Sequence, residues 1–208
     1  MRRKNISARN QYPGWNTEIS SLPIEAFELD ELEAGITKSQ IDALKELTWI
    51  AANQNLFFMG PPGLGKTMLA VGLGLKAIDA GYSVCYERMV NLVDILDNAP
   101  YQKIPKYRLA KLKKSQVIII DEIGYTPITR EEANRFFSFI SELYERSSLI
   151  FTTNKRIDEG AEVMGDPVLT AALLDRILEN ALCFSLRGQS YRLKDKTIRK
   201  EEKEPVKE

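Results

Sequence analysis

The stretch FFMGPPGLGKTMLA, residues 57–70, passes from apolar residues through two prolines and three glycines into a helix-like pattern. No other segment constrains the fold as tightly. Gly60, Gly65, Lys66 and Thr67 satisfy G-x-x-x-x-G-K-[ST], with a strand-like run before and a helix-like run after. The glycines let successive backbone N–H groups turn inward onto an anion. A helix opening at Lys66 adds its unsatisfied amides and its positive dipole end. Gly60, Pro61, Pro62, Gly63, Leu64, Gly65, Lys66, Thr67 and Met68 are therefore expected to cradle a nucleotide. Lys66 reaches the β- and γ-phosphates, the Thr67 hydroxyl ligates Mg2+, and Pro61 and Pro62 stiffen the loop.

The rest of the chain supplies the sheet that such a loop requires. Short strands are expected at 55–59, 83–87, 117–120, 149–153 and 182–186, alternating with helical patterns. Thr37-Lys38-Ser39-Gln40 and Thr129-Arg130-Glu131-Glu132 carry capping-box spacing, and the first predicts one helix continuing to Ala51. Further helices are expected from Lys66 to Ala80, over 90–96, and over 168–179 behind Asp166-Pro167. Strands alternating with helices imply an α/β domain with a five-stranded parallel sheet flanked by helices. Four consecutive β-branched residues, Val117–Ile120, indicate a strand buried on both faces.

That buried strand ends in Asp121-Glu122, at the carboxyl edge where open α/β sheets bind ligands. Asp121 is expected to hold the Mg2+ shell, through water, and Glu122 to polarise water for attack on the γ-phosphate. Asn154, at the end of LIFTTN, can orient that water or sense the γ-phosphate. A guanine-reading Asn-Lys-x-Asp would need Asp one residue earlier than Asp158, so ATP is the expected nucleotide. The chain has no histidine and no Cys-x-x-Cys, which argues against zinc and Ser-His-Asp chemistry. Cys85 and Cys183 lie in apolar runs and are expected to be reduced core thiols in a cytoplasmic protein, with no membrane span.

Lys+Arg and Asp+Glu number 29 each, so only local clustering can indicate a charged partner. Between Pro100 and Ile120 there is no acid, while Lys103, Lys106, Arg108, Lys111, Lys113 and Lys114 accumulate around Tyr101 and Tyr107. Such a run can neutralise duplex phosphates, and so can Arg2, Arg3, Lys4 and Arg9 as an arm; a solvated helix face would look the same.

Together with the loop, the segments VIIIDEIGYTPITREEANRFFSFISELYERSSLIFTTNK, GDPVLTAALLDRILENA and GQSYRLKDK resemble the IstB/DnaC-like AAA+ ATPases over roughly residues 22–195. Within them, the likeness is strongest to the helpers of insertion-sequence transposition. The resemblance implies an ASCE P-loop core with strand order 5-1-4-3-2, placed over 37–193. Residues 1–36, irregular and basic at the front, are expected to form an N-terminal arm or linker, and 194–208, mixing charges without apolar periodicity, a charged flexible tail. Family members carry a further N-terminal helical domain, which this chain is expected to lack or to hold in truncated form. The resemblance further implies ATP-dependent assembly, as a ring or helical filament, on duplex DNA, and recruitment of a transposase. Asp121-Glu122 then correspond to Walker B, Asn154 to sensor 1, Arg176 to an arginine acting in trans on a neighbour's ATP, and Arg192 to a sensor-2-like position. A salt bridge from Arg176 to Asp175 or Glu179 is the alternative role. A replicative helicase loader would share this core, and a small-molecule kinase would share the loop without a use for Arg176.

Overall fold

The computed structural model describes residues 36–155 and 167–188. Arg2, Arg3, Lys4, Arg9 and Arg192, the stretch 1–35 and the charged tail lie outside the described residues. Within them, a parallel sheet has the order β2-β3-β4-β1-β5. Its strands are β1 (Asn55–Met59), β2 (Val84–Arg88), β3 (Val117–Ile123), β4 (Ser148–Thr153) and β5 (Ala181–Ser185). Read from the other edge this is the order 5-1-4-3-2 that the resemblance implied.

Side-chain alternation explains the continuous apolar strands. Leu56, Phe58, Val117, Ile119 and Ile150 face one core, beneath helix α3 (Lys66–Asp79) and beside α1 (Lys38–Lys45). Phe57, Ile118, Ile120 and Phe151 face a second core. That core is closed by α4 (Met89–Asn98), α6 (Arg130–Leu143) and α7 (Pro167–Leu178). A strand covered on both sides needs apolar residues at every position, and Val117–Ile120 are all buried.

Both capping boxes form. The Gln40 N–H donates to Thr37 Oγ1 at 3.2 Å and the Thr37 N–H to Gln40 Oε1 at 2.7 Å. Thr129 and Glu132 repeat the exchange at 3.3 and 2.6 Å. The expected continuous helix to Ala51 is instead broken: Leu47 adopts φ 59°, and a separate short turn, α2 (Thr48–Ala51), follows α1. Burial decides the break, because the bend lets Leu47, Trp49 and Ile50 all reach the core.

The basic run also gains a structure. It forms α5 (Lys103–Leu112), with Pro105 in the first turn, where its missing N–H leaves no helical bond unmade. On β5 only Phe184 of the five strand residues is buried. Cys85 is a buried free thiol as expected, whereas Cys183 is free but exposed, because β5 is an edge strand with one open face.

Candidate active site

The strand ends that point the same way assemble the site. β1 delivers the loop, and the Gly60 N–H donates to the Thr153 carbonyl at the end of β4 at 3.3 Å. Gly60 has φ 140°, and a Cβ there would stand 2.2 Å from the Leu186 carbonyl oxygen just past β5. The first glycine is thus required by the β1–β5 pairing as well as by the turn. Gly63 and Gly65 also take positive φ, 84° and 78°, and Gly65 occupies the N-cap of α3 with no side-chain cap. The N-cap residue therefore offers the first-turn amides of α3 no side-chain acceptor. Leu64 is 1% exposed and belongs to the core, so the loop is pinned from beneath by a side chain. The Lys66 ammonium donates to the Gly60 and Pro61 carbonyls at 2.6 and 2.7 Å and is itself buried.

The carboxylate end of β3 lies against this loop. The Thr67 hydroxyl donates to Asp121 Oδ1 at 2.9 Å, across 54 residues of sequence. Asp121 is 2% exposed and receives two more hydroxyls: Thr152 on Oδ1, and Tyr86 on Oδ2 at 2.7 Å. Burial, then the charge of Asp121, raises the Tyr86 pKa above its ordinary value, so this phenol stays a donor.

Glu122 is set apart from Asp121 by the backbone. The β3–β4 register shifts between Ile120, opposite Phe151, and Ile123, opposite Thr153, so Asp121 and Glu122 share the interval of Thr152. Glu122 has φ 63°, and its N–H donates to Thr152 Oγ1 at 3.0 Å. This bulge breaks the alternation that a regular strand would impose. The Glu122 carboxylate is 44% exposed, and Arg88 Nε stands 3.8 Å away, itself 48% exposed. A pair this long and this wet holds its members weakly. Asn154 follows β4 directly and is half-buried.

Gly60 through Thr67, Asp121, Glu122 and Asn154 therefore gather at one edge of the sheet, and Arg176 does not join them. It sits in α7 beside the opposite strand ends, in a pocket shared with Asn55, the first residue of β1, and Leu149. Its guanidinium lies 4.5 Å from the centre of the Tyr144 ring, while the Tyr144 hydroxyl donates to Glu179 at 2.6 Å. The alternative in which Arg176 merely bridges to Asp175 or Glu179 is replaced by stacking on Tyr144, and its buried Nε has no hydrogen-bond partner among the described residues.

The basic run is likewise divided. Arg108 forms two bonds to Glu87 of β2, at 2.6 and 2.7 Å, and Lys113 pairs with Glu142 at 2.6 Å. The expectation of six uncompensated cations fails because acids far away in sequence fold against them. Lys103, Lys106 and Lys114 are exposed, with Tyr101, Ile104 and Tyr107 beside them, and Lys111 is half-buried. Sequence reasoning missed Tyr86, Arg88 and Thr152. Thr152 stood one residue inside the strand that yielded Asn154; Tyr86 carried no signal beyond its place on β2.

The match to known proteins agrees with this arrangement. The model of the family described as IstB-like ATP binding protein matches residues 16–199. The ATP-binding protein of insertion sequence IS21 from Pseudomonas aeruginosa is 40% identical over 79% of this chain and 62% of its own length. That of IS5376 from Geobacillus stearothermophilus is 36% identical over 88% of this chain and 74% of its own. The chain thus spans about two thirds of the length of these relatives. Among solved structures, DnaI superposes with a TM-score of 0.69 at 18% identity, covering 83% of this chain and 95% of that one. The DnaC helicase loader gives 0.64 at 18%, covering 83% and 100%, and these two likenesses speak for the fold alone. By its sequence over most of its length, the chain belongs to the family of IstB-like ATP binding proteins.

Proposed function

We propose that this chain is an Mg2+-dependent ATPase that assembles with copies of itself on duplex DNA and recruits a transposase in the cytoplasm. The observation that carries the catalytic part is the contact of Thr67 with Asp121 at 2.9 Å beneath the glycine loop. It puts a hydroxyl and a buried carboxylate on one point. An all-oxygen donor pair of this kind suits a hard divalent cation, so Thr67 and Asp121 fit Mg2+. When bound, Mg2+ supplies charge neutralisation at the phosphate oxygens. The loop amides and Lys66 bind the phosphates, Glu122 accepts a proton from water, and Asn154 orients that water.

Support for a shared site comes from Arg176, which lies at the sheet edge opposite its own loop and would leave its seat on Tyr144 to serve a neighbouring copy. Exposed Lys103, Lys106 and Lys114, interleaved with Tyr101 and Tyr107, support contact with the phosphate backbone. The relatives' association with insertion sequences supports the transposase as partner. Steady-state ATPase rate against protein concentration, with and without duplex DNA, tests the reading. The rate per protomer is expected to rise with both and to fall on the order of 10³-fold in Arg176→Ala. A rate indifferent to DNA and concentration, with an active Arg176→Ala variant, would overturn assembly and point to a kinase.

A further inference from the structure

Asp121 is held from three elements at once. Thr67 comes from α3, Thr152 from β4 and Tyr86 from β2, so the strands on both sides of β3 each contribute a hydroxyl. The two carboxylate oxygens are not treated alike. Thr67 and Thr152 share Oδ1, and Tyr86 is the hydroxyl donor on Oδ2. Tyr86 is 7% exposed and its ring packs in the core beneath α3, so the hydroxyl is delivered by a rigid, well-packed arm. Arg88, two residues further along β2, stands 3.8 Å from Glu122 through its Nε. The strand that carries Tyr86 to one carboxylate of the site thus carries Arg88 toward the other.

From this arrangement we propose that Tyr86 is a positioning residue for the cation: its hydroxyl fixes the plane of the Asp121 carboxylate so that Oδ1 stays turned toward Thr67. The proposal rests on the reading of Thr67 and Asp121 as the Mg2+ site. If the Thr67 oxygen turns to a cation, its hydroxyl proton must leave Asp121 Oδ1. The carboxylate then keeps two hydroxyl anchors, Thr152 and Tyr86, one on each oxygen. Without Tyr86 it keeps one and can pivot about it. Groups that orient a metal ligand commonly change metal affinity by about 10–100-fold when removed.

The test is Tyr86→Phe, which keeps the packed ring and deletes the hydroxyl. A fluorescent ATP analogue is titrated into wild type and variant in EDTA, and then at fixed analogue over a Mg2+ series. The expected result is unchanged binding in EDTA and a Mg2+ midpoint raised about 10-fold. Saturating Mg2+ should restore turnover to within a few-fold of wild type. Thr152→Val should raise the midpoint as well, since it removes the other anchor. An unchanged midpoint in Tyr86→Phe, even with a lower melting temperature, overturns the proposal and leaves the hydroxyl a structural contact. Loss of binding in EDTA to the same extent as in Mg2+ also overturns it, by making the effect one of the cradle. If wild type itself shows no Mg2+ dependence, the cation-site reading fails first and takes this proposal with it.

Discussion

Replacing Gly60 by alanine is the sharpest test of how the loop is built. Two costs arise together. The backbone sits at φ 140°, a region that L residues almost never enter, and a residue forced into it loses about 1–3 kcal/mol. The new Cβ would also stand 2.2 Å from the Leu186 carbonyl oxygen, which is backbone and cannot swing aside. Relief requires moving Leu186, whose N–H donates to the Met59 carbonyl at 2.7 Å, so the β1–β5 pairing must give. Overpacking of this kind costs about 1–3 kcal/mol. The sum is about 2–6 kcal/mol, and in a chain of this size each kcal/mol lowers Tm by about 2–4 °C. Gly60→Ala is thus expected to melt at least about 4 °C below wild type and to lose affinity for the ATP analogue. Gly188→Ala is the matched control: φ is 127°, yet none of the described residues comes within 4 Å of its Cβ. It carries the conformational cost alone. Melting curves followed by circular dichroism read both. Equal, small shifts for the two variants would refute the role given to the Leu186 carbonyl.

Two further outcomes follow from the same geometry. Glu122→Gln should leave nucleotide binding and Tm nearly unchanged, because the side chain is 44% exposed, while steady-state hydrolysis falls about 10²–10⁴-fold. Arg108→Met should destabilise by about 2–3 kcal/mol in denaturant titration, somewhat under the figure for a fully buried pair because Arg108 is 32% exposed. Burial already pushes the Glu87 carboxyl above its ordinary value against the pull of Arg108, and removing the arginine pushes it higher still. A carboxyl raised on folding stabilises below its unfolded pKa and loses that contribution as pH climbs through its folded pKa. The deficit of Arg108→Met should therefore grow with pH above the ordinary carboxylate range; a deficit that shrinks would contradict the assignment.

What could be read from sequence was local. The capping boxes, the glycine loop and the Val117–Ile120 run each specify their structure within a few residues, and each formed as expected. What could not be read depended on partners distant in the chain. Glu87 answers Arg108 from β2 and Glu142 answers Lys113 from α6, so two of the six cations in a run with no acids of its own are paired. The bulge at Asp121-Glu122 arises from pairing with Thr152, and Tyr86 acquires its place only when β2 lies beside β3. The bend at Leu47 is a decision of the core over a helical pattern that locally ran on. The seat of Arg176 on Tyr144 needed α6 and α7 in contact.

Leu64 gives the site a fixed half and a movable half. Lifting the loop off the sheet means withdrawing a leucine side chain from the core, at about 1.5–3 kcal/mol. Open forms would then be only a few per cent of molecules. An incoming nucleotide meets a loop backbone already set, so its capture needs only side chains to change partners, Lys66 leaving the Gly60 and Pro61 carbonyls and Thr67 leaving Asp121. Timing must come from elsewhere, and the half-exposed pair of Glu122 and Arg88, 3.8 Å apart, is the part of the site loose enough to keep it.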